Sequence, residues 1–107
     1  MPSIAKDKLS LKADIFKAMG NPTRLGIIEF LDEGERSVSD IVGSVGSNVA
    51  RVSKHLSILK KAGVLANRRE GSKMMYRVIM PCVVEFARSL ESVIFRRLEE
   101  QRPVMVA

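Results

Sequence analysis

One amphipathic segment constrains the fold more than any other feature: residues 49–65 have the sequence VARVSKHLSILKKAGVL. Its apolar residues recur at intervals of three and four, the spacing that places side chains on one face of an α-helix. They are Val49, Val52, Leu56 and Leu59. Gly63 follows, and glycine commonly ends a helix. The segment therefore predicts a helix with an apolar face that packs on a core and an opposite face rich in arginine, lysine and serine.

The segments around this helix predict a helix-turn-helix followed by a β-hairpin. A short helix is expected just after Ser39, and Gly46–Ser47 breaks the chain, with Ser47 as the N-cap of the next helix. Two β-like runs, Val64–Glu70 and Lys73–Ile79, flank a two-residue link that is typical of a tight hairpin turn. A basic hairpin directly after a helix-turn-helix is the wing of a winged-helix fold.

Three further helices and a short extended segment complete the predicted order. The helices are expected at Ile4–Met19, at Pro22–Glu33 with Asn21 as N-cap, and at Pro81–Arg102, and the extended segment at Arg36–Val38. The fold class is thus mainly α-helical with a small β-hairpin, a winged helix-turn-helix of five helices plus a wing. We expect one winged helix-turn-helix domain over residues 1–107, in which residues 1–8 and 103–107 are candidates for frayed ends.

The net charge of +6 is concentrated in the same part of the chain. Residues 47–77 contain eight basic residues and one acidic residue, a net +7, whereas the remainder contains ten basic and eleven acidic residues. A basic patch on a near-neutral body indicates a protein that binds a polyanion, although composition alone fits a solvated charged face equally well. The ordered combination of short helix, link, basic helix and basic hairpin favours double-stranded DNA.

The polar side of the central helix carries the predicted DNA contacts, because an α-helix fits the major groove. Arg51 can donate two hydrogen bonds to guanine, and Asn48 can pair with adenine or hold a phosphate. Lys54 and Ser57 are expected to contact the backbone, and arginines of the hairpin suit a narrow minor groove. The predicted DNA-binding residues are Ser47, Asn48, Ala50, Arg51, Lys54, Ser57, Arg68, Arg69 and Lys73.

Three spaced blocks of the sequence resemble the ArsR/SmtB-type winged-helix repressors. The block MGNPTRLGIIEFL at 19–31 resembles the second helix of the family, SVSDIV at 37–42 its third helix, and residues 49–78 its recognition helix and wing. The resemblance covers roughly residues 9–100. It implies a homodimer, joined largely through the first and last helices, that represses transcription and commonly releases DNA when an inducer, often a metal ion, binds.

A homodimer also suits DNA binding on physical grounds. A two-fold dimer presents two recognition helices roughly 34 Å apart, which matches one turn of DNA. The terminal helices carry apolar stripes that one small core need not bury fully. The candidate interface residues are Phe16, Phe86, Leu90 and Phe95. The alternative is that these side chains close the core of the monomer.

The sequence departs from the metal-sensing pattern of that family. Arsenic- and cadmium-type members of the family carry Cys-x-Cys in the third helix, whereas this chain has Ser37 and Ser39 at the matching positions. A serine hydroxyl is a poor ligand for soft ions. Zinc-type members place aspartate and histidines on the last helix, but the last helix of this chain has no histidine. The chain has one histidine, His55, and we expect it to be partly buried and not to bind a metal ion. The sequence therefore predicts no metal site and no cofactor, and it leaves the inducer unknown.

The single cysteine, Cys82, leaves two interpretations open. It lies near the start of the last helix, where a helix dipole can activate a thiol, so a thiol-responsive repressor is one alternative. An ordinary small buried side chain is the interpretation we favour. With one cysteine, no signal peptide and no run long enough to span a membrane, the sequence predicts a cytoplasmic protein.

No enzyme is expected, because the sequence offers no catalytic residues and no nucleophile–base pair. Fold does not fix function, so a winged-helix module that binds another protein instead of DNA remains the alternative.

Overall fold

The computed structural model describes the backbone of residues 3–101 and the side chains of residues 7–101. Its elements are α1 (Ser3–Met19), α2 (Pro22–Asp32), β1 (Arg36–Ser37), α3 (Val38–Val45), α4 (Val49–Lys61), β2 (Leu65–Glu70), β3 (Lys73–Val78) and α5 (Pro81–Gln101). This order confirms the predicted winged helix-turn-helix with five helices. Residues 3–8 were predicted as part of a frayed end, and they lie in α1. The other candidates for frayed ends, residues 1–2 and 103–107, lie outside the described residues, as does the predicted end of the last helix at Arg102.

Side-chain caps explain where α2 and α3 begin. Asn21 caps α2 as predicted, since its Oδ1 accepts a hydrogen bond from the backbone N–H of Arg24 at 3.1 Å. The predicted start of α3 after Ser39 is wrong. Ser37 caps that helix, because its Oγ accepts the backbone N–H of Asp40 at 3.2 Å. A cap that satisfies an otherwise unpaired amide therefore moves the start of α3 towards the N-terminus.

The predicted cap of α4 is also wrong. Asn48 and not Ser47 caps this helix, and its Oδ1 accepts the backbone N–H of Arg51 at 2.9 Å. Asn48 has the extended backbone of an N-cap, and asparagine caps a helix as well as serine does. Gly46 ends α3 in the left-handed conformation, which leaves Ser47 as the connecting residue of the helix-turn-helix.

The end of α4 follows the glycine prediction. Gly63 has a φ of +82°, which disfavours residues with a Cβ. Its N–H donates to the carbonyl of Lys60 at 3.0 Å, and the N–H of Val64 donates to the carbonyl of Leu59, also at 3.0 Å. This pair of bonds is a Schellman motif, and it turns the chain from α4 directly into the hairpin.

The wing is a three-stranded antiparallel sheet in the order β1-β3-β2. The predicted hairpin is confirmed, with Glu70 opposite Lys73 at its tip and Gly71 at a φ of +61° in the turn. The third strand was predicted only as an extended segment, and its Arg36 and Ser37 pair with β3. Because β1 leads directly into α3, this pairing attaches the wing to the helix-turn-helix.

The core lies where α2, α3, α4 and the sheet meet. Its largest fully buried side chains are Ile27, Ile28, Ile41, Val52, Leu56, Leu59, Val64 and Leu65. Three of the four apolar residues predicted to anchor α4 are among them. The prediction for Val49 is wrong, since its side chain is 60% exposed. Val49 is the first helical residue after the cap and lies where α4 has not yet reached the core.

The terminal helices extend beyond this core. The radius of gyration is 17.1 Å, whereas a compact chain of this length has a value of about 13 Å. Val83, Val84 and Ala87 attach the start of α5 to the core, but every residue from Arg88 to Gln101 is exposed. None of the helices in residues 3–101 combines the length and the apolar content that a membrane span requires.

Candidate nucleic-acid interface

The exposed face of α4 presents free hydrogen-bond donors. Ala50, Arg51, Lys54 and Ser57 are all exposed, on the side away from the buried Val52 and its apolar neighbours. Among the described residues, neither Arg51 nor Lys54 forms an ion pair or a side-chain hydrogen bond. The small Ala50 beside Arg51 lets the helix approach a surface closely. This arrangement suits a helix that enters the major groove.

The residues before α4 have different roles in the structure. Ser47 is partly buried, and Asn48 is exposed. Pairing with adenine requires the Asn48 amide to accept and to donate at once, but its Oδ1 already accepts the N–H of Arg51. The amide NH₂ group remains available as a donor. The geometry therefore favours a phosphate contact for Asn48 over pairing with adenine.

Arg68, one of the predicted wing contacts, is engaged within the protein. Its Nε lies 3.0 Å from both carboxylate oxygens of Glu35, and its Nη2 lies 2.5 Å from Oε1. A second ion pair joins Nη2 to Glu70 at 3.2 Å. The hydrogen bond from Arg68 lowers the pKa of Glu35, and the same bond raises the pKa of Arg68. Arg68 thus connects β2 to Glu35, the residue before β1. The contact of Arg68 with DNA stays a prediction, and this geometry disfavours it because the guanidinium group is already paired with two carboxylates.

Arg69 and Lys73 are two free cations of the wing. Both side chains are exposed, and neither forms an ion pair within the part of the chain that the structure describes. Neighbouring residues of a strand point to opposite faces, so Arg69 and Arg68 extend to opposite sides of the sheet. Lys73 lies at the tip beside Gly71, opposite Glu70 in the register. These two residues can therefore present uncompensated charges to a phosphate backbone.

One residue that the sequence reasoning missed, Arg24, joins three helices. Its Nε donates to the carbonyl of Ala18 at 2.6 Å and its Nη2 to the carbonyl of Lys17 at 3.2 Å. Its Nη1 lies 3.2 Å from Nδ1 of His55 on α4. Arginine has only donors, so His55 accepts through Nδ1 and carries its proton on Nε2. The sequence signal was present, because Arg24 lies in the PTRL part of the block that resembles the second helix of the family.

His55 is partly buried, as predicted, and its environment favours the neutral ring. Burial lowers the pKa of His55, and the positive charges of Arg24 and Lys54 lower it further. Below the pH at which a free histidine titrates, about 6.5, the unfolded chain then binds more protons than the folded chain. The stabilising contribution of the neutral ring is therefore complete above that pH and decreases as the pH falls.

We predict that the replacement His55→Asn removes this part of the pH dependence. Asparagine offers Arg24 an oxygen acceptor near the position of Nδ1 but does not titrate. In urea unfolding monitored by circular dichroism, the midpoint of the wild-type protein should fall between pH 7.5 and pH 5.5, and that of the variant should fall less. An equal decrease for both proteins would contradict the assignment.

The residues considered for sensing lie apart from one another. Ser37 is buried at the start of α3, Ser39 is exposed on the same helix, and His55 is engaged with Arg24. The interpretation of Cys82 as a buried side chain is wrong, because this cysteine is exposed at the start of α5. Within the described residues, no three His, Cys, Asp or Glu side chains form a group that could hold a metal ion.

The candidate dimer residues do not close the monomer core. The rings of Phe16 on α1 and Phe86 on α5 meet edge to face, with centroids 5.8 Å apart, and both are exposed to solvent. Leu90 continues this surface one turn along α5. Phe95 is exposed too, but it is nine residues from Phe86, two and a half turns at about 3.6 residues per turn. It therefore lies on the opposite side of α5.

The comparisons with known proteins agree with this architecture. The family model for bacterial regulatory proteins of the arsR family matches residues 21–66, which include the helix-turn-helix. The uncharacterized HTH-type transcriptional regulator Rv0081 of Mycobacterium tuberculosis is 36% identical over 96 residues, covering 89% of this chain and 84% of its own length. The chain belongs to the ArsR family.

Two other similar proteins are informative. The homodimeric winged helix-turn-helix DNA-binding domain of Mb0332 from Mycobacterium bovis superposes with a TM-score of 0.81 at 31% identity, covering 94% of this chain and 93% of that domain. The arsenical resistance operon repressor of Escherichia coli is 35% identical over 69 residues, which are 64% of this chain and 59% of the repressor. This ArsR-family chain is thus a transcriptional regulator with a winged helix-turn-helix DNA-binding fold.

Proposed function

We propose that this protein is a homodimeric, cytoplasmic repressor that binds a specific double-stranded DNA sequence through α4 and the wing. The observation that carries the proposal is the set of exposed, unpaired cations on that surface. Arg51 would bind base edges from the major groove, whereas Lys54, Arg69 and Lys73 would contact phosphates. The small residues Ala50 and Ser57 let the helix approach the bases.

The dimer is proposed from the exposed apolar face that Phe16, Phe86 and Leu90 form on α1 and α5. This face is joined by further large apolar side chains that are about half exposed. They are Leu9, Val93, Ile94 and Leu98. Contiguous apolar surface of this kind marks an interaction site in a folded protein. The homodimeric state of the related Mb0332 domain supports pairing with a second copy.

We propose further that the protein uses neither a metal site of the known kinds nor catalysis. Serines replace the two cysteines of the metal-sensing pattern at Ser37 and Ser39, and the buried Ser37 is occupied in capping α3. A hydroxyl that accepts an amide N–H as a cap is a poor replacement for a thiolate ligand.

A salt titration with DNA tests the phosphate contacts. The observed affinity for any duplex should fall steeply with salt, and Arg69→Ala should reduce the slope of log K against log [salt] by about one for each protomer bound. Fluorescence anisotropy with a labelled duplex measures the slope. The exposed Arg96 on α5 provides the charge-matched control, and Arg96→Ala should leave the slope unchanged.

Equal slopes for the wild-type protein, Arg69→Ala and Arg96→Ala would contradict the wing assignment. Absence of a salt-dependent affinity for any duplex, together with binding to a partner protein, would support the protein-interaction module instead.

A further inference from the structure

The outer half of the wing consists of exposed residues. Val64 and Leu65 are buried at the base of the wing, whereas every residue from Arg68 to Lys73 is exposed. Strand β1, which leads from the sheet into α3, is two residues long. A two-stranded hairpin without further packing is marginally stable in water. The direction in which the end of the wing points therefore depends on contacts other than burial in the core.

One contact of this kind crosses the whole sheet. The register places Arg68 of β2 opposite Met75 of β3, which in turn lies opposite Ser37 of β1. Adjacent strands lie about 4.8 Å apart, so roughly 10 Å separates β1 from β2. The side chain of Arg68 spans this gap and reaches Glu35, with its Nε 3.0 Å from both carboxylate oxygens. The contact thus joins the edge strand β2 directly to the segment that leads through β1 into α3.

The geometry of this ion pair distinguishes it from an ordinary surface pair. Most exposed ion pairs contribute little, except where an arginine is bidentate or several charges form a network. Arg68 meets both conditions, because Nε and Nη2 bond to Glu35 and Nη2 also bonds to Glu70 at 3.2 Å. Glu70 lies opposite Lys73 beside the turn. One guanidinium group therefore connects the segment before β1 to the tip of the wing.

We propose that Glu35 and Arg68 are positioning residues for DNA binding. Their ion pair holds the end of the wing at a fixed angle to α3 and α4, so that Arg69 and Lys73 reach the DNA backbone while α4 lies in the major groove. Arg69 follows Arg68 directly and extends to the other face of the strand, so the pair also fixes the direction of Arg69. The inference rests on the proposed binding of DNA by α4 and the wing.

Backbone ¹⁵N relaxation of the full chain tests the pair without DNA. The order parameters of the Arg69 and Glu70 amides should be about 0.85 in the wild-type protein, as for a rigid backbone, and clearly lower in Arg68→Gln and Glu35→Gln. The double exchange of Glu35→Arg with Arg68→Glu re-forms the pair with reversed charges and should restore them. Arg77→Gln is the matched control, because the exposed Arg77 lies on the same face of the sheet and its loss leaves the pair intact. Unchanged order parameters in both single variants would overturn the proposal.

A salt titration with DNA then separates positioning from direct contact. Arg68→Gln should weaken binding to the operator relative to a random duplex by roughly two- to fivefold for each protomer, the range for a solvent-exposed ion pair. It should leave the slope of log K against log [salt] unchanged, because a positioning residue releases no counterions from the DNA. Glu35→Gln should lower the operator preference in the same way, and the double exchange should restore it.

Two results would overturn the proposal by showing that Arg68 binds a phosphate itself. One is a slope reduced by about one for each protomer in Arg68→Gln, and the other is stronger and more salt-dependent binding of both duplexes by Glu35→Gln. Absence of duplex binding by the wild-type protein would overturn the proposed function and with it the role in DNA binding. The order parameters would still decide whether the pair fixes the wing.

Discussion

The replacement Arg51→Ala is expected to abolish most of the preference for the operator sequence. An arginine that donates two hydrogen bonds to guanine contributes about 1–3 kcal/mol of discrimination, or roughly five- to 150-fold for each half-site. Arg51 is exposed near the start of α4, and its guanidinium group has no partner among the described residues. Affinity for the operator, selected from genomic DNA, should therefore fall far more than affinity for a random duplex of the same length.

Lys54→Ala is the control for this result, since Lys54 lies on the same exposed face of α4. If Lys54 contacts phosphate, its loss should weaken binding to both duplexes by a similar factor and reduce the salt slope. Titrations at one fixed salt concentration keep the comparison free of ionic-strength effects. If Arg51→Ala lowered the affinities for the operator and the random duplex equally, Arg51 would be a phosphate contact and would not specify sequence.

The replacement Leu90→Glu is expected to dissociate the proposed dimer. Leu90 is 43% exposed in the single chain, so a glutamate there should leave the fold of the protomer intact. In the dimer the same carboxylate would be buried without a partner, at a cost of about 3 kcal/mol or more. Dimer affinity should then fall at least about a hundredfold, and operator affinity should fall with it because the half-sites are no longer bound together.

Sedimentation equilibrium measures the dissociation, and circular dichroism verifies that the variant remains folded. Ser92→Glu is the matched control, because Ser92 is exposed on the same helix about 160° round its axis from Leu90. It should leave both dimer and operator affinity close to those of the wild-type protein. A Leu90→Glu protein that remains dimeric would show that the interface lies elsewhere on the chain.

Local patterns in the sequence predicted much of the fold. The period of Val52, Leu56 and Leu59 predicted the buried face of α4, and Gly63 predicted its end, because both signals act within a few residues. The hairpin followed in the same way from its two β-like runs and the turn at Gly71. The cap of α4 was misplaced because Ser47 and Asn48 are both good capping residues, and only the backbone geometry selects Asn48.

The candidate DNA-binding surface was predicted less completely. The charge of the wing was evident, but which cations remain free depends on neighbours that are distant along the chain. Arg68 meets Glu35, 33 residues away, and is thereby neutralised, whereas Arg69 extends to the other face of the strand. Arg24 meets His55 across 31 residues. Periodicity and composition do not show which residues so far apart along the chain come into contact.

By itself, therefore, the sequence determined the order of the helices, the hairpin, the buried face of α4 and the concentration of positive charge, since short-range periodicity and turn chemistry specify each of them. Only the tertiary structure decided which charges are paired and that Cys82 is exposed. It also showed that Phe16 and Phe86 remain uncovered in the single chain. The physical reason is that pairing, exposure and cavities depend on how distant segments pack against one another.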